Sequence, residues 1–260
     1  MIYITGDTHG DFSRFEYEPY TSLTKADAVI ILGDFGGIWA MPISPNLIKE
    51  ENEKLDFLAT LPFNIFFIDG NHENFARLAD FPIEKKHNGL VHVIRPNVFH
   101  LIRGEIFTIE NHNFFAFGGA ASHDIDDGIL DPADYDSLAD CRLDDYIQCQ
   151  FNHKMVRIKN ISWWEAEMPS RAEMDAAIAN LKAFDGKIDF VLTHSLPTEA
   201  LLMAGFDTPN RLNNFFQNEV LPLLNYRVSW YTGHYHEDYL HFFIDNINYI
   251  FKYEETERIV

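Results

Sequence analysis

The chain has 260 residues, enough for one large domain or two small ones, and a hydrophobic share of 47% with 23 Phe supplies a substantial core. Its net charge of −20 with His neutral argues against unaided binding to long nucleic acid or to an anionic membrane face, because holding phosphates takes clustered Lys and Arg. No apolar run has bilayer length and Met1 leads straight into "IYIT" without a charged leader, so a cytoplasmic protein with no membrane partner is expected.

In chain order, "MIYIT" (1–5), "DAVIIL" (27–32), "NIFFID" (64–69), "IDFVLT" (188–193) and "VSWYTG" (228–233) are short apolar runs of the kind that form buried strands. Between them the apolar spacing predicts helices over 44–61, 170–184 and 210–224, the second opened by a Ser170/Glu173 capping box after Pro169. Residues 89–118 carry a hairpin texture, with strands in "LVHVI", "VFHLIRGEIFTIE" and "NFFAFG" and a turn at 111–113. A second hairpin turns at Asp245-Asn246. Strands alternating with helices and then pairing as hairpins predict an α/β fold of two mixed β-sheets packed as a sandwich flanked by helices, with 1–260 as one domain.

Residues 120–165 have a different composition, Asp-rich with only short apolar stretches, and read as an acidic insertion that serves as a lid or as a solvated surface excursion. The two cysteines, Cys141 and Cys149, fall within it. On a helix they are about 12 Å apart along the axis, beyond disulfide reach, and are expected as free thiols.

Each of the five non-hairpin strands ends in residues suited to binding metal. The first is followed by "GDTHG" with Asp7 and His9, the second by "GDFGG" with Asp34, and the third by "GNHE" with Asn71, His72 and Glu73. The fourth ends at His194 and the fifth in "GHYH" with His234 and His236. In open α/β sheets the carboxyl ends of strands converge on the ligand site, so the five clusters would meet. Carboxylates with imidazoles suit a divalent transition metal of the Mn, Fe or Zn kind, and residues i and i+2 on extended chain face the same way, pairing Asp7 with His9 and His234 with His236. Taken singly, each motif has an ordinary reading as well: "GNHE" is a common helix start and "GHYH" a common turn.

The ordered set "GDTHG … GDFGG … GNHE … TH … GHYH" resembles the calcineurin-like metallophosphoesterase superfamily over residues 1–80 and 186–240. The resemblance implies one metal on Asp7, His9 and His236, a second on Asn71, His194 and His234, and Asp34 bridging them. It also implies a bridging hydroxide as nucleophile and a small phosphomonoester or phosphodiester as substrate. His72 lies outside the implied ligand set and becomes the candidate proton donor to the leaving group, with a purely electrostatic role as alternative. Nuclease activity and a non-catalytic metal-binding scaffold are the competing readings.

In one place the sequence departs from the pattern. Many phosphatases of the superfamily place an Asp and an Arg three and four residues beyond the bridging Asp, where this chain has Gly37 and Ile38. A carboxylate orienting His72 must then come from elsewhere, with Asp69 and Glu73 as candidates. Residues 116–170 resemble a bacterial and phage-type subgroup, and make Asp124, Arg157, Trp163 and Trp164 candidates for a substrate-side wall. Arg157 could clamp phosphate with its two-pronged guanidinium, or simply pair with one of the many acids while the tryptophans anchor the interior. Of the remaining histidines, only His123 sits in a suggestive context, "SHD".

Overall fold

The computed structural model describes residues 1–41, 44–206, 208–224 and 226–260. Its strands are β1 (Ile2–Thr5), β2 (Ala28–Leu32), β3 (Asn64–Ile68), β4 (Ile83–Lys86), β5 (Gly89–Arg95), β6 (Val98–Leu101), β7 (Ile106–Ile109), β8 (His112–Phe117), β9 (Gly128–Leu130), β10 (Val156–Ile158), β11 (Phe190–Thr193), β12 (Val228–Thr232), β13 (His241–Ile244), β14 (Ile247–Phe251) and β15 (Glu257–Arg258). The α-helices are α1 (Pro45–Thr60), α2 (Phe75–Ala79), α3 (Leu138–Asp140), α4 (Ile147–Phe151), α5 (Arg171–Ala183), α6 (Thr198–Met203) and α7 (Arg211–Phe215).

Seven strands form one sheet in the order β15-β1-β2-β3-β6-β5-β4, and six form another in the order β13-β14-β12-β11-β8-β7. The centre of each sheet is parallel: β1, β2, β3 and β6 in the first, and β8, β11, β12 and β14 in the second. Because alternate side chains of a strand point to opposite faces, the fully buried β2 divides its residues between two cores. Ile30 and Leu32 face the second sheet and pack with Phe66, Phe114, Ala116, Leu192 and Tyr231. Val29 and Ile31 face outward against Leu55 and Leu58 of α1. On the far side, Phe115, Val191 and Trp230 meet Ala177 of α5 and Phe215 of α7. The result is the expected α/β sandwich of two mixed sheets between helices.

The predicted helices form with one alteration. The Ser170/Glu173 capping box is present on α5, and α1 starts just after Ser44. The segment 210–224, however, is regular only over α7; it widens to a π-helical turn at Phe216–Val220 and tightens to a 3-10 turn at Leu221–Leu223. Pro222 is the cause, since its ring removes an N–H from the helical ladder and crowds the carbonyl four residues back.

The hairpin turn expected at 111–113 is a two-residue turn at Glu110 and Asn111, both with positive φ, and His112 and Asn113 already belong to β8. Strands β4 and β15 were not apparent from the apolar pattern. The excursion at 120–165 has structure of its own: β9 and β10 pair in parallel, and the chain is helical from Leu138 to Phe151. Cys141 and Cys149 are free thiols. Among the described residues no helix is long and apolar enough to cross a membrane.

Candidate metal centre

The loops after β1, β2 and β3 in one sheet and after β11 and β12 in the other meet across the top of the sandwich, where parallel topology places their carboxyl ends. Backbone hydrogen bonds strap the first loop to the second: Thr8 N and His9 N donate to Asp34 O at 3.1 and 2.8 Å, and Gly10 N donates to Phe35 O. The third loop is fixed by Glu73. Its buried carboxylate accepts from Phe35 N at 2.7 Å and Gly70 N at 2.8 Å, and burial together with the Asp34 and Asp69 charges pushes its pKa up. Glu73 therefore does not orient His72, and neither does Asp69, whose carboxylate is taken by His100 at 3.0 Å and by Arg103. The helix start suggested by "GNHE" falls three residues later than Asn71, with Asn74 capping α2 by accepting from Arg77 N.

Three groups of ligand-type side chains have donor atoms within 4.8 Å of one another: Asp7, His9 and His236; His9, Asp34 and His72; and Asp34, His194 and His234. The Asp34 carboxylate stands between two sets, with Oδ2 3.9 Å from His9 Nε2 and Oδ1 3.3 Å from His194 Nε2. Burial opposes charge on Asp34, but His194, His72 and His234 outweigh it and hold its carboxyl well below the ordinary range. The same carboxylate oxygen, Oδ1, accepts the Asn71 and His72 backbone N–H groups at 2.8 Å each. All seven sequence-predicted ligands thus come together, with Asn71 held in the group by its backbone.

Several features suit these residues to a cation. His194 Nδ1 donates to Leu32 O at 2.6 Å, which fixes the tautomer and leaves Nε2 as a free lone pair. Among the described residues, Asp7 Oδ2, Asn71 Oδ1 and His194 Nε2 are buried without a hydrogen-bond partner, a costly arrangement unless something else satisfies them. His9, Asp34, His234 and His236 all have positive φ, between 46° and 70°. That conformation costs on the order of 1–3 kcal/mol per non-Gly residue and concentrates at functional sites. Asp34 and His234 each follow a glycine, and the glycines of these loops let the backbone approach closely. Gly33 itself has φ +93°, and a Cβ there would collide with the His194 ring, while a Cβ on Gly70 would collide with Asp34 Oδ1.

His72 is half-buried beside this cradle. Its ring stacks on Trp39 at 5.3 Å and meets His9 edge-on at 5.0 Å. Burial, with Arg157 and neighbouring imidazoles and against the pull of Asp34, lowers its pKa to about 4. Arg157 and Asp124 reach it together: Arg157 Nε donates to Asp124 Oδ2 at 2.8 Å, its NH1 donates to Ser162 O, and NH2 lies 3.2 Å from His72 Nε2. The expected pairing of Arg157 with an acid and its position beside the site are both present. Trp164 is buried edge-on against Trp39 at 5.0 Å. His123 approaches His234 with ring centroids 6.0 Å apart.

The family model for calcineurin-like phosphoesterases matches residues 1–238. The chain belongs to the calcineurin-like phosphoesterase family. No curated protein matches it. Among solved structures, a Staphylococcus aureus protein described as a 5'-nucleotidase, crystallised with α-ketoglutarate, aligns with 96% of this chain at 16% identity and a TM-score of 0.43. The alignment takes in 48% of that protein, so the chain spans about half its length.

Proposed function

We propose that the cradle binds two divalent cations of the Mn, Fe or Zn kind and that the chain hydrolyses a small phosphomonoester or phosphodiester. Asp7, His9 and His236 would hold one ion, and Asn71, His194 and His234 the other. The observation that carries this reading is the carboxylate of Asp34, whose two oxygens face His9 on one side and His194 on the other. Ions bound there would supply a water of lowered pKa and neutralise phosphoryl oxygens.

The chain's own residues do the rest. A cavity of about 280 Å³ opens beside His9 and His72 and is bounded by Trp39, Leu47, Glu50 and Lys54, a size that suits a small ester. His72 faces the cavity and is the proton donor for the leaving alkoxide. Arg157, anchored by Asp124, holds the imidazole through Nε2, so Nδ1 carries the proton. A second role is favoured by the lowered pKa of about 4: a neutral imidazole that hydrogen-bonds a phosphoryl oxygen. Arg157 stands behind the cavity-lining His72, and with Asp124 it is the candidate phosphate contact on that side. The −20 net charge disfavours long nucleic acid as substrate.

The test is metal stoichiometry. Chelated protein titrated with Mn²⁺ is expected to take up two ions, and the Asp34→Asn variant to bind both more weakly while remaining soluble. Undiminished binding of both ions in that variant would rule out the shared-carboxylate assignment.

A further inference from the structure

Asn71 raises a problem that the carboxylates beside it do not. A carboxylate presents oxygen whichever way it rotates, and the His194 tautomer is already fixed by Leu32 O, but a carboxamide presents oxygen on one side and NH₂ on the other. An Asn ligand is useful only if something fixes which end faces the cation.

The structure contains such a device in the excursion between β8 and α5. Asn71 Nδ2 donates to Ser122 Oγ at 3.3 Å. Ser122 is tied to Glu167 twice, its N–H donating to Oε1 at 2.8 Å and its hydroxyl to Oε2 at 2.7 Å. With its proton committed to the carboxylate, the Ser122 oxygen can only accept from Asn71, so the NH₂ must turn toward Ser122 and Oδ1 toward the cradle. Asn71 Oδ1 is one of the buried atoms without a hydrogen-bond partner among the described residues. Ser122 and Glu167 are themselves buried, at 6% and 1% exposure. The far side of the relay is also braced: Arg103 donates to the carbonyls of Ala166 and Glu167 and to Asp69, two residues before Asn71, and Gly119 N donates to Asp69 O.

We propose that Ser122 and Glu167 are positioning residues that set the orientation of the Asn71 carboxamide, and through it the affinity of the metal that Asn71 shares with His194 and His234. This rests on the two-metal reading above. It gives the acidic excursion a role behind the site: its ends at 120–122 and 165–167 lock a ligand in place.

The experiment is Mn²⁺ titration by calorimetry on chelated protein, with unfolding temperature measured in parallel. Ser122→Ala is expected to weaken one of the two ions about tenfold or more and leave the other unchanged, the scale of loss typical for a partner behind a metal ligand. Ser122→Thr, which keeps the hydroxyl, is expected to bind both ions as wild type does. In an Asn71→Asp background either end of residue 71 is oxygen, so adding Ser122→Ala should cost no further affinity. An equal loss in that background, or equal weakening of both ions, would show that Ser122 acts on the fold at large and would overturn the relay. Should Ser122→Ala not fold, Glu167→Gln is expected to produce the same one-ion loss, and unchanged affinity there would overturn the relay. If wild-type protein binds two ions and Ser122→Ala matches it, the relay alone fails; if wild-type protein binds none, the metal reading fails with it.

Discussion

The two halves of the cradle are built differently. On the inner side His194 is fully buried, its Nδ1 committed to Leu32 O and its Nε2 3.3 Å from Asp34 Oδ1. On the outer side His9 and His236 have side chains 34% and 48% exposed, their Nε2 atoms 3.2 Å apart and Asp7 beneath them. The inner half is therefore part of the folded core and the outer half is an opening onto solvent and onto the cavity. An ion on the inner side would be slow to leave and an ion on the outer side would exchange readily.

The largest expected effect comes from the residue common to both halves. Asp34→Asn should lower turnover by more than about 100-fold, beyond the loss seen when only a ligand's hydrogen-bond partner is removed, and it should erase the difference between the two halves by weakening both ions. Turnover with p-nitrophenyl phosphate and Mn²⁺ measures it.

The next largest separates the halves. His194→Ala should remove one ion and also destabilise the fold by about 1–3 kcal/mol, since Leu32 O loses its donor inside the protein. His236→Ala should remove the other ion with little change in stability, because the side chain is half exposed. Thermal unfolding in chelator, beside metal content, reads both. Equal unfolding temperatures would break the comparison.

A third prediction concerns His72, which belongs to neither half. His72→Ala should keep both ions and slow hydrolysis by about 100-fold or more for alkyl phosphates, with much less effect on p-nitrophenyl esters whose leaving group needs no proton. Equal losses on both would remove it as proton donor and favour the neutral hydrogen-bonding role. The smallest effect is expected for Arg157→Lys, which keeps the charge but cannot span Asp124, Ser162 O and His72 at once. About a tenfold fall in kcat for alkyl phosphates with unchanged metal content would mark Arg157 as acting through His72. A rise confined to KM would mark it as a phosphate contact.

The residues of the inner and outer halves were equally legible in the sequence, because each follows an apolar run that can be recognised as a strand and parallel sheets bring such ends together. The difference between them was not legible, since burial depends on which loops pack above. What lies behind the ligands was still harder to see. Arg157 and His72 are 85 residues apart, and Ser122 and Glu167 are 45 apart, in a segment whose Asp-rich composition suggested a lid or a surface excursion. No periodicity connects such partners; the pairing of β9 with β10 accompanies the return of Arg157, on β10, to His72 in the loop after β3. Glu73 was visible in the motif, but its role as a buried strap between the second and third loops depends on backbone N–H groups that sequence patterns do not display.

The measurement that tests the account most directly is hydrolysis of p-nitrophenyl phosphate and bis-p-nitrophenyl phosphate, side by side, by chelated protein resupplied with Mn²⁺, with Asp34→Asn as control. The account predicts turnover that appears with metal and is lost in the control, the preferred ester reporting monoester or diester chemistry. Turnover that survives chelation, or that persists undiminished in Asp34→Asn, would contradict it.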